Sequence, residues 1–459
     1  MRTVIGNQIR VEDPALGLIE WCKKNLEIGN PEYVKKQRMG LWLGQTPKVI
    51  KLYSWEGTTL VLPFGCLQEI RNFIIEHDID VTFAPQQEVD FGGDVPLYDY
   101  QETAVEAMMR SRYGILQSAA GSGKTQMGLA IAGRLGCRTL WLTHTKDLLD
   151  QSMKRAYQYF YAGDMGTITE GEVNIGNTIT FATIQTMARC DLHLMRDVWD
   201  CIIVDECHRV AGTPDAVTMF SKVLNNLRAR HKYGLSATVH RADGMIRATT
   251  ALLGRVVWQV PDSAVADKIM RVEIHPKGTG TPLTHDCLNP DGTINYAKMI
   301  SYLTASAPRN WMILNDLRDS AKHYNLILSE RVGHLHGLQA EIELYHPGET
   351  VLIHGKTPKA EREQGLEDLR TGKKHYLFAT YQLAKEGLDI PRLDRLFLVT
   401  PQKDYAVVVQ SVGRVARSFE GKGQPVVYDY VDNSTYTIWG YKKRCGHYRK
   451  IGCEIINEE

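Results

Sequence analysis

The chain has 459 residues, more than one ordinary domain holds and comfortable for two or three. Hydrophobic residues make up 43% and charged residues 23%, the balance of a soluble globular protein, and no apolar run is long enough to span a bilayer. The formal net charge of +1 excludes a chain that is basic throughout, so a polyanion would have to be met by positive charge concentrated locally.

Met1 to Val11 interleaves Arg2, Asn7, Gln8 and Arg10 with apolar positions and lacks the apolar core of a secretory signal. Nine scattered cysteines without a paired framework suit reduced thiols in a cytosol. Residues 1–95 are long enough for a small accessory α+β domain, and Phe91-Gly-Gly-Asp-Val-Pro96 reads as its boundary. Within it, the segment Lys23 to Lys51 carries Lys23, Lys24, Lys35, Lys36, Arg38, Lys48 and Lys51 against Glu27 and Glu32, with Trp21, Tyr33, Trp42 and Tyr53 interleaved. Basic side chains among aromatics suit neutralisation of a phosphate backbone plus stacking, which makes Lys35, Lys36 and Arg38 candidate nucleic-acid contacts. A solvated surface over an ordinary aromatic core is the competing account.

Residues 96–260 alternate short β-branched strands with helical patterns, as parallel βαβ units do. The predicted strands are Tyr113–Gln117, Thr139–Thr143, Thr178–Ala182, Cys201–Asp205 and Lys232–Ser236. Residues 261–305, which include Pro276-Lys-Gly-Thr-Gly-Thr-Pro282, read as a linker or a strand insertion. Residues 306–459 repeat the alternation, with predicted strands Asn325–Ser329, Val351–His354, Tyr376–Thr380, Arg395–Thr400 and Pro425–Val431. A basic tail follows, with Lys442, Lys443, Arg444, Arg449 and Lys450 near Trp439, Tyr441 and Tyr448. It reads equally well as a binding surface or as a helix packing its aromatics on the second domain.

The strand Tyr113–Gln117 runs into Ser118-Ala-Ala-Gly-Ser-Gly-Lys-Thr125, and a helical pattern begins at once. A phosphate-binding loop needs glycines so that backbone N–H groups can converge on phosphate oxygens, and Gly121 and Gly123 supply that freedom. The helix that follows points its positive dipole end at the same place. Ser118, Ala119, Ala120, Gly121, Ser122, Gly123, Lys124 and Thr125 are the candidate nucleotide contacts. Lys124 is suited to the β- and γ-phosphates and the Thr125 hydroxyl to Mg²⁺. Ser118 stands where the general pattern has its first glycine, and the strand–loop–helix context outweighs that miss. Downstream, Cys201-Ile-Ile-Val-Asp-Glu-Cys-His208 is an apolar strand ending in two carboxylates. Asp205 is suited to hold Mg²⁺ through water, and Glu206 to position or deprotonate an attacking water. A solvated acidic pair at a strand end is the bland alternative.

At this point Asp205-Glu-Cys-His208 resembles the DExH box of superfamily 2 helicases, and the rest of that series follows in order. Leu97-Tyr-Asp-Tyr-Gln101 is similar to the glutamine motif, which implies that Gln101 reads adenine. Leu140 to Gln151 resembles motif Ia and Phe181 to Thr186 motif Ic, implying nucleic-acid backbone contacts at Thr143, His144, Thr183 and Gln185. Ser236-Ala237-Thr238 matches motif III, which couples hydrolysis to movement. Asn325 to Gly337 resembles motif IV. Ala379-Thr380 with Glu386-Gly-Leu-Asp-Ile-Pro391 resembles motif V, implying roles for Thr380, Gly387 and Asp389. Gln410-Ser-Val-Gly-Arg-Val-Ala-Arg417 matches motif VI. The resemblance spans roughly residues 97–432. It implies two tandem RecA-like doubly wound parallel-sheet domains beside the small N-terminal domain, with ATP and Mg²⁺ as cofactors.

Motif VI has a physical logic of its own. Hydrolysis spreads negative charge over the γ-phosphoryl group, and a guanidinium presented from another domain stabilises that charge. Gln410, Arg414 and Arg417 are therefore candidate catalytic groups, on one face if the segment is helical. A basic helix facing solvent is the alternative. Gly234 to Gly244 resembles the extended motif III of the XPB-like and UvsW-like, phage-type group, with Val239 where Pro is usual. That likeness implies remodelling of branched DNA and R-loops by a motor working on duplex. The expected partner is DNA in preference to RNA, duplex or branched, with no membrane, a monomeric or weakly oligomeric state, and the cytoplasm (a host's, if phage-encoded) as its place. An RNA helicase, the motor of a restriction or defence assembly, and a nucleotide-dependent binding protein without unwinding are the rivals. Cys445, His447 and Cys453 lack a fourth ligand and the spacing of a metal site. His334 and His336, two apart, do not share a helix face.

Overall fold

The computed structural model describes residues 2–83, 86–119, 121–169, 171–211, 213–237, 245–261, 264, 270–385, 388 and 390–456. Ala120, Thr238, Gly387 and Asp389 lie outside the described residues, as does Val239. The chain divides into two compact units, with the main division after Pro261.

The first unit begins with a five-stranded sheet in the order Ser54–Glu56, Thr59–Pro63, Gln8–Glu12, Arg2–Ile5, Asp78–Val81. Gln8–Glu12 alternates in burial, so Ile9 and Val11 face inward while Gln8, Arg10 and Glu12 lie at the surface side. Helices Leu16–Asn25 and Leu67–Ile74 close the core with Leu18, Cys22, Ile70 and Ile74. That core does not stop at the accessory domain. It runs on through Tyr113, Val217, Met245, Ala248 and Ala251. The two layers approach so closely at Gly65 that a Cβ there would lie 2.4 Å from the backbone nitrogen of Gly254.

A buried lysine sits at this join. Lys232, only 1% exposed, donates to the carbonyls of Leu224 at 2.7 Å and Asn7 at 3.2 Å, with its ammonium 5.4 Å from the centre of the Phe64 ring. Burial lowers its pKa from 10.5 to about 7. The unfolded chain therefore holds this proton up to about 10.5 while the folded chain releases it near 7. Between those values the unfolded state binds more protons, and stability rises with pH. From pH 7 to pH 9 the native chain is expected to gain about 2 kcal/mol relative to Lys232→Met in urea titrations. Parallel pH slopes for the two proteins would refute this account.

The main sheet of the first unit has the order Glu172–Asn174, Gly166–Thr169, Ile179–Thr183, Thr139–Thr143, Cys201–Asp205, His231–Ser236, Tyr113–Gln117, Val256–Gln259. Only the Glu172–Asn174 pairing is antiparallel. Thr139–Thr143, Cys201–Asp205 and His231–Ser236 are buried at every position, as strands covered on both faces must be.

The second unit carries a seven-stranded parallel sheet in the order Thr350–Ile353, Tyr376–Thr380, Asn325–Ser329, Arg395–Leu398, Val426–Asn433, Glu273–Pro282, Glu454–Ile455. The stretch 261–305, read from sequence as a linker or insertion, thus contributes a ten-residue strand, Glu273–Pro282, and a helix, Tyr296–Ala305. Among the described residues Glu454–Ile455 pairs with Glu273 and Ile274 and no strand pairs further along that side, so Pro276 and the glycines after it run along an open edge, where a missing N–H costs nothing. The tail forms the helix Thr435–Lys450 and turns its apolar side inward, burying Cys445 and Tyr448. Arg444 is buried with it, donating to both oxygens of Asp429 at 2.7 and 2.8 Å. Among the described residues no helix is long and apolar enough to cross a membrane.

Candidate functional site

Parallel pairing places the functional segments of the first unit along one sheet edge. Asp205 pairs with Leu235, and Leu235 with Leu116, so the acidic strand end, motif III and the entry to the glycine loop end side by side. The Ser118 N–H donates to the Ser236 carbonyl at 3.0 Å, tying the loop's first residue to motif III. Loops at the carboxyl ends of parallel strands are where open α/β sheets bind ligands.

The helix Lys124–Leu135 starts on Gly123, whose φ of 81° is left-handed, and Gly121 has a φ of 86°. A side chain would be strained at either position, and a Cβ on Gly123 would also lie 2.3 Å from the Gln101 amide nitrogen. Gln101 is buried and its Oε1 accepts the Tyr98 N–H at 3.0 Å, closing the first turn of Asp99–Met109. Its amide therefore lies against the base of the glycine loop. Lys124 folds back, its Nζ donating to the carbonyls of Ala119 at 3.2 Å and Ser118 at 3.3 Å. Ser122 is buried, and Thr125 is half-buried in the first turn of the helix.

Asp205 is buried, its Oδ1 accepting the Glu206 N–H at 2.9 Å, with the Ser152 hydroxyl 3.4 Å from Oδ2. Burial raises its pKa to about 7, the Glu206 charge adds to the rise, and the Lys124 charge opposes it. Ser152 was not singled out from sequence. Its signal was position alone, one residue past the motif Ia segment. Glu206 has a φ of 49°, left-handed backbone that a non-glycine residue enters at a cost of about 1 kcal/mol or more. His208 Nδ1 lies 3.2 Å from both the Glu206 carboxylate and the Ser236 hydroxyl. The acidic strand end and motif III thus share one imidazole. Ser236 is fully buried and Ala237 half-buried.

The candidate nucleic-acid residues of this unit divide. Gln185 donates to the His144 carbonyl at 3.0 Å, joining motifs Ia and Ic, and both side chains are half-buried. Burial, with Arg209 and His208 nearby, lowers the His144 pKa. Thr183 caps the helix Ile184–Met187. Thr143 is fully buried with its hydroxyl on the Thr145 carbonyl at 3.0 Å, so its side chain lies beneath this surface rather than on it. Lys35 and Arg38 are exposed on the helix Pro31–Arg38, and Lys36 is half-buried there.

In the second unit, Thr380 ends its strand opposite Ser329 and is half-buried. Gln410 is buried in the helix Tyr405–Val415, and its side-chain oxygen is buried without a hydrogen-bond partner among the described residues. Arg414 lies one turn on and donates to the Leu388 carbonyl at 3.0 Å. The helix ends at Val415, so Arg417 is carried by the loop beyond it, and the one-face reading holds for Gln410 and Arg414 only. Lys422, missed from sequence, organises that loop. Its Nζ donates to the carbonyls of Val415 and Arg417 at 2.7 Å each and of Pro391 at 2.9 Å. Burial lowers its pKa to about 8, with Asp394 opposing the shift and Arg417 adding to it. His334, declined as a ligand, bridges Ser329 at 3.1 Å and Asn310 at 2.9 Å.

Residues 94–241 match the family described as Type III restriction enzyme, res subunit, and residues 311–419 match the family described as Helicase conserved C-terminal domain. The chain is 27% identical over 378 residues to the putative ATP-dependent RNA helicase L396 of Acanthamoeba polyphaga mimivirus, covering 79% of this chain and 69% of that protein. It is 27% identical over 346 residues to the probable helicase D10 of Escherichia phage T5, covering 74% and 73%. Among solved structures, Dbp5 of S. cerevisiae bound to RNA and ADP BeF3 overlays with a TM-score of 0.55 at 16% identity, covering 86% of this chain and 94% of that one.

Proposed function

Since this chain belongs to the superfamily 2 helicases and is an ATP-dependent nucleic-acid helicase, we propose that it works as a DNA helicase or translocase that remodels branched or R-loop DNA. The observation that carries the catalytic part is the shared sheet edge on which Asp205, Ser236 and the strand leading into the glycine loop of Lys124 end side by side. ATP and Mg²⁺ suit the residues present. The glycine loop opens a helix N-terminus toward an anion, and hard oxygen donors stand nearby in the Thr125 hydroxyl and the Asp205 carboxylate. Bound Mg²⁺ would neutralise charge on the phosphates.

In this reading Gln101 recognises the base, and Ser118 to Gly123 cradle the phosphates through their N–H groups. Lys124 leaves the Ser118 and Ala119 carbonyls for the phosphate oxygens. Asp205 would hold the metal through water, and Glu206 accepts a proton from the attacking water. Gln410, Arg414 and Arg417 act on the γ-phosphoryl group. Gly387 and Asp389 join the nucleotide contacts, and Ser236, Ala237 and Thr238 couple hydrolysis to movement. His144, Thr183, Gln185 and Thr380 contact the nucleic-acid backbone, with Lys35, Lys36 and Arg38 adding charge from the N-terminal domain. The name of the mimivirus relative keeps RNA as the alternative substrate.

The test is ATP-dependent remodelling of forks, Holliday junctions, R-loops and plain duplex, with matched RNA substrates beside them. DNA branches are expected to be processed, and Lys124→Ala to abolish both processing and nucleic-acid-stimulated ATP turnover. Full turnover by Lys124→Ala would overturn the catalytic assignment. Processing of RNA alone would overturn the choice of DNA.

A further inference from the structure

Between the paired strands Glu27–Gly29 and Val49–Lys51 the chain leaves the N-terminal domain and returns, forming an excursion of residues 30–48. Its helix, Pro31–Arg38, has no buried residue. A helix of eight residues without an apolar face in a core is unstable on its own, so something else must hold it. Part of the answer is local. Asn30 is buried, and its Oδ1 accepts the N–H of Glu32 at 2.9 Å and of Tyr33 at 3.4 Å. Its Nδ2 donates to the Pro47 carbonyl at 2.8 Å, and its backbone N–H to that of Lys48 at 3.0 Å. Higher up, Lys36 binds the Thr46 hydroxyl at 2.7 Å and Glu32 at 2.9 Å, and the Leu41 N–H caps the Lys36 carbonyl at 2.9 Å. The neck is built, and the far end is not covered. Met39 is 61% exposed, Leu41 52% and Trp42 88%.

An ordered excursion that lifts three large apolar side chains into water needs an occupant, since singly exposed apolar residues are ordinary and a clustered tip is not. Charge identifies the occupant. Residues 30–48 carry Lys35, Lys36, Arg38 and Lys48 against the single acid Glu32. Cationic flanks attract phosphates, and an apolar or aromatic tip between them stacks on a base or enters a base step. We infer that residues 39–42 form a wedge that seats on the terminal base pair where a duplex opens into single strands, with Lys35 and Arg38 on the adjoining phosphates. This inference rests on the reading of the chain as a motor on branched DNA and names the feature of the branch it would recognise.

The experiment measures equilibrium binding, without ATP, of fluorescein-labelled forked DNA and of a single strand of the same length. A second fork carries 2-aminopurine at the junction base pair and reports unstacking. The native chain is expected to prefer the fork and to raise the 2-aminopurine signal. Trp42→Ala and Leu41→Ser are expected to lose roughly tenfold of that preference and most of the signal, while Trp42→Phe keeps both. Thermal melting curves matching the native chain would show that the variants are folded, as substitutions at exposed positions should leave them. Undiminished fork preference and signal in Trp42→Ala and Leu41→Ser would overturn the wedge, and would point to a protein as the tip's partner. Absence of any fork preference in the native chain would overturn it equally. Because binding is read without ATP, failure of the Lys124→Ala test leaves this outcome unaffected, and the two readings fail separately.

Discussion

Glu206→Gln is expected to lower nucleic-acid-stimulated ATP turnover by about 10²–10⁴ while ATP still binds. The argument starts from the backbone. Glu206 sits at φ 49°, directly after the strand end that delivers Asp205. Strain of this kind persists where the surroundings over-determine it, and here the carboxylate lies 3.2 Å from His208 Nδ1, at the strand end next to motif III. Glutamine keeps the size and the hydrogen-bonding reach but cannot accept the water's proton. Steady-state phosphate release beside the affinity for a fluorescent ATP analogue separates chemistry from binding. Turnover within threefold of the native rate would remove Glu206 from the catalytic role.

The second large effect concerns stability. Arg309 and Asp432 are both fully buried, with Nε to Oδ1 at 2.7 Å, and Arg309 Nη1 donates to the Val399 carbonyl at 2.8 Å. The Thr279 hydroxyl adds a bond of 2.7 Å to the same Asp432 oxygen. The pair thereby ties the helix Ala307–Asp319 to two strands of the second sheet. Removing one partner strands the other charge in a dry interior, so Arg309→Met or Asp432→Leu alone is expected to cost about 3–5 kcal/mol in urea unfolding. The double substitution should recover much of that loss, because no unpaired charge remains. If the two single losses simply added in the double variant, the coupling argued from this geometry would be absent.

Much of the catalytic segment was legible because its signals are local. Tyr113–Gln117, Thr139–Thr143, Cys201–Asp205, Asn325–Ser329 and Tyr376–Thr380 run in the structure over the residues predicted from sequence. Strands buried on both faces read as short β-branched apolar runs, and no helix competes for so few residues. Gly166–Thr169 and Val256–Gln259 escape that reading, and Glu273–Pro282 is legible only as a linker or a strand insertion. All three lie toward sheet edges or are only partly buried, so their composition is not purely apolar, and in the last Pro and Gly argue against a strand until the open edge is known.

By itself the sequence determined the strand–loop–helix that holds Lys124 and Thr125, the carboxylates at the end of Cys201–Asp205, and the order of the helicase motifs. Each of these depends on neighbours a few residues away, where backbone freedom, periodicity and spacing are written directly. Only the tertiary structure decided that Lys232 would be buried against Asn7 and Leu224, that Lys422 would clamp Pro391 to the loop of Arg417, and that Trp42 would stand in solvent. A charged or aromatic side chain carries no local mark of whether water surrounds it. That is settled by which distant segments arrive beside it, and it then sets proton affinity, pairing and exposure.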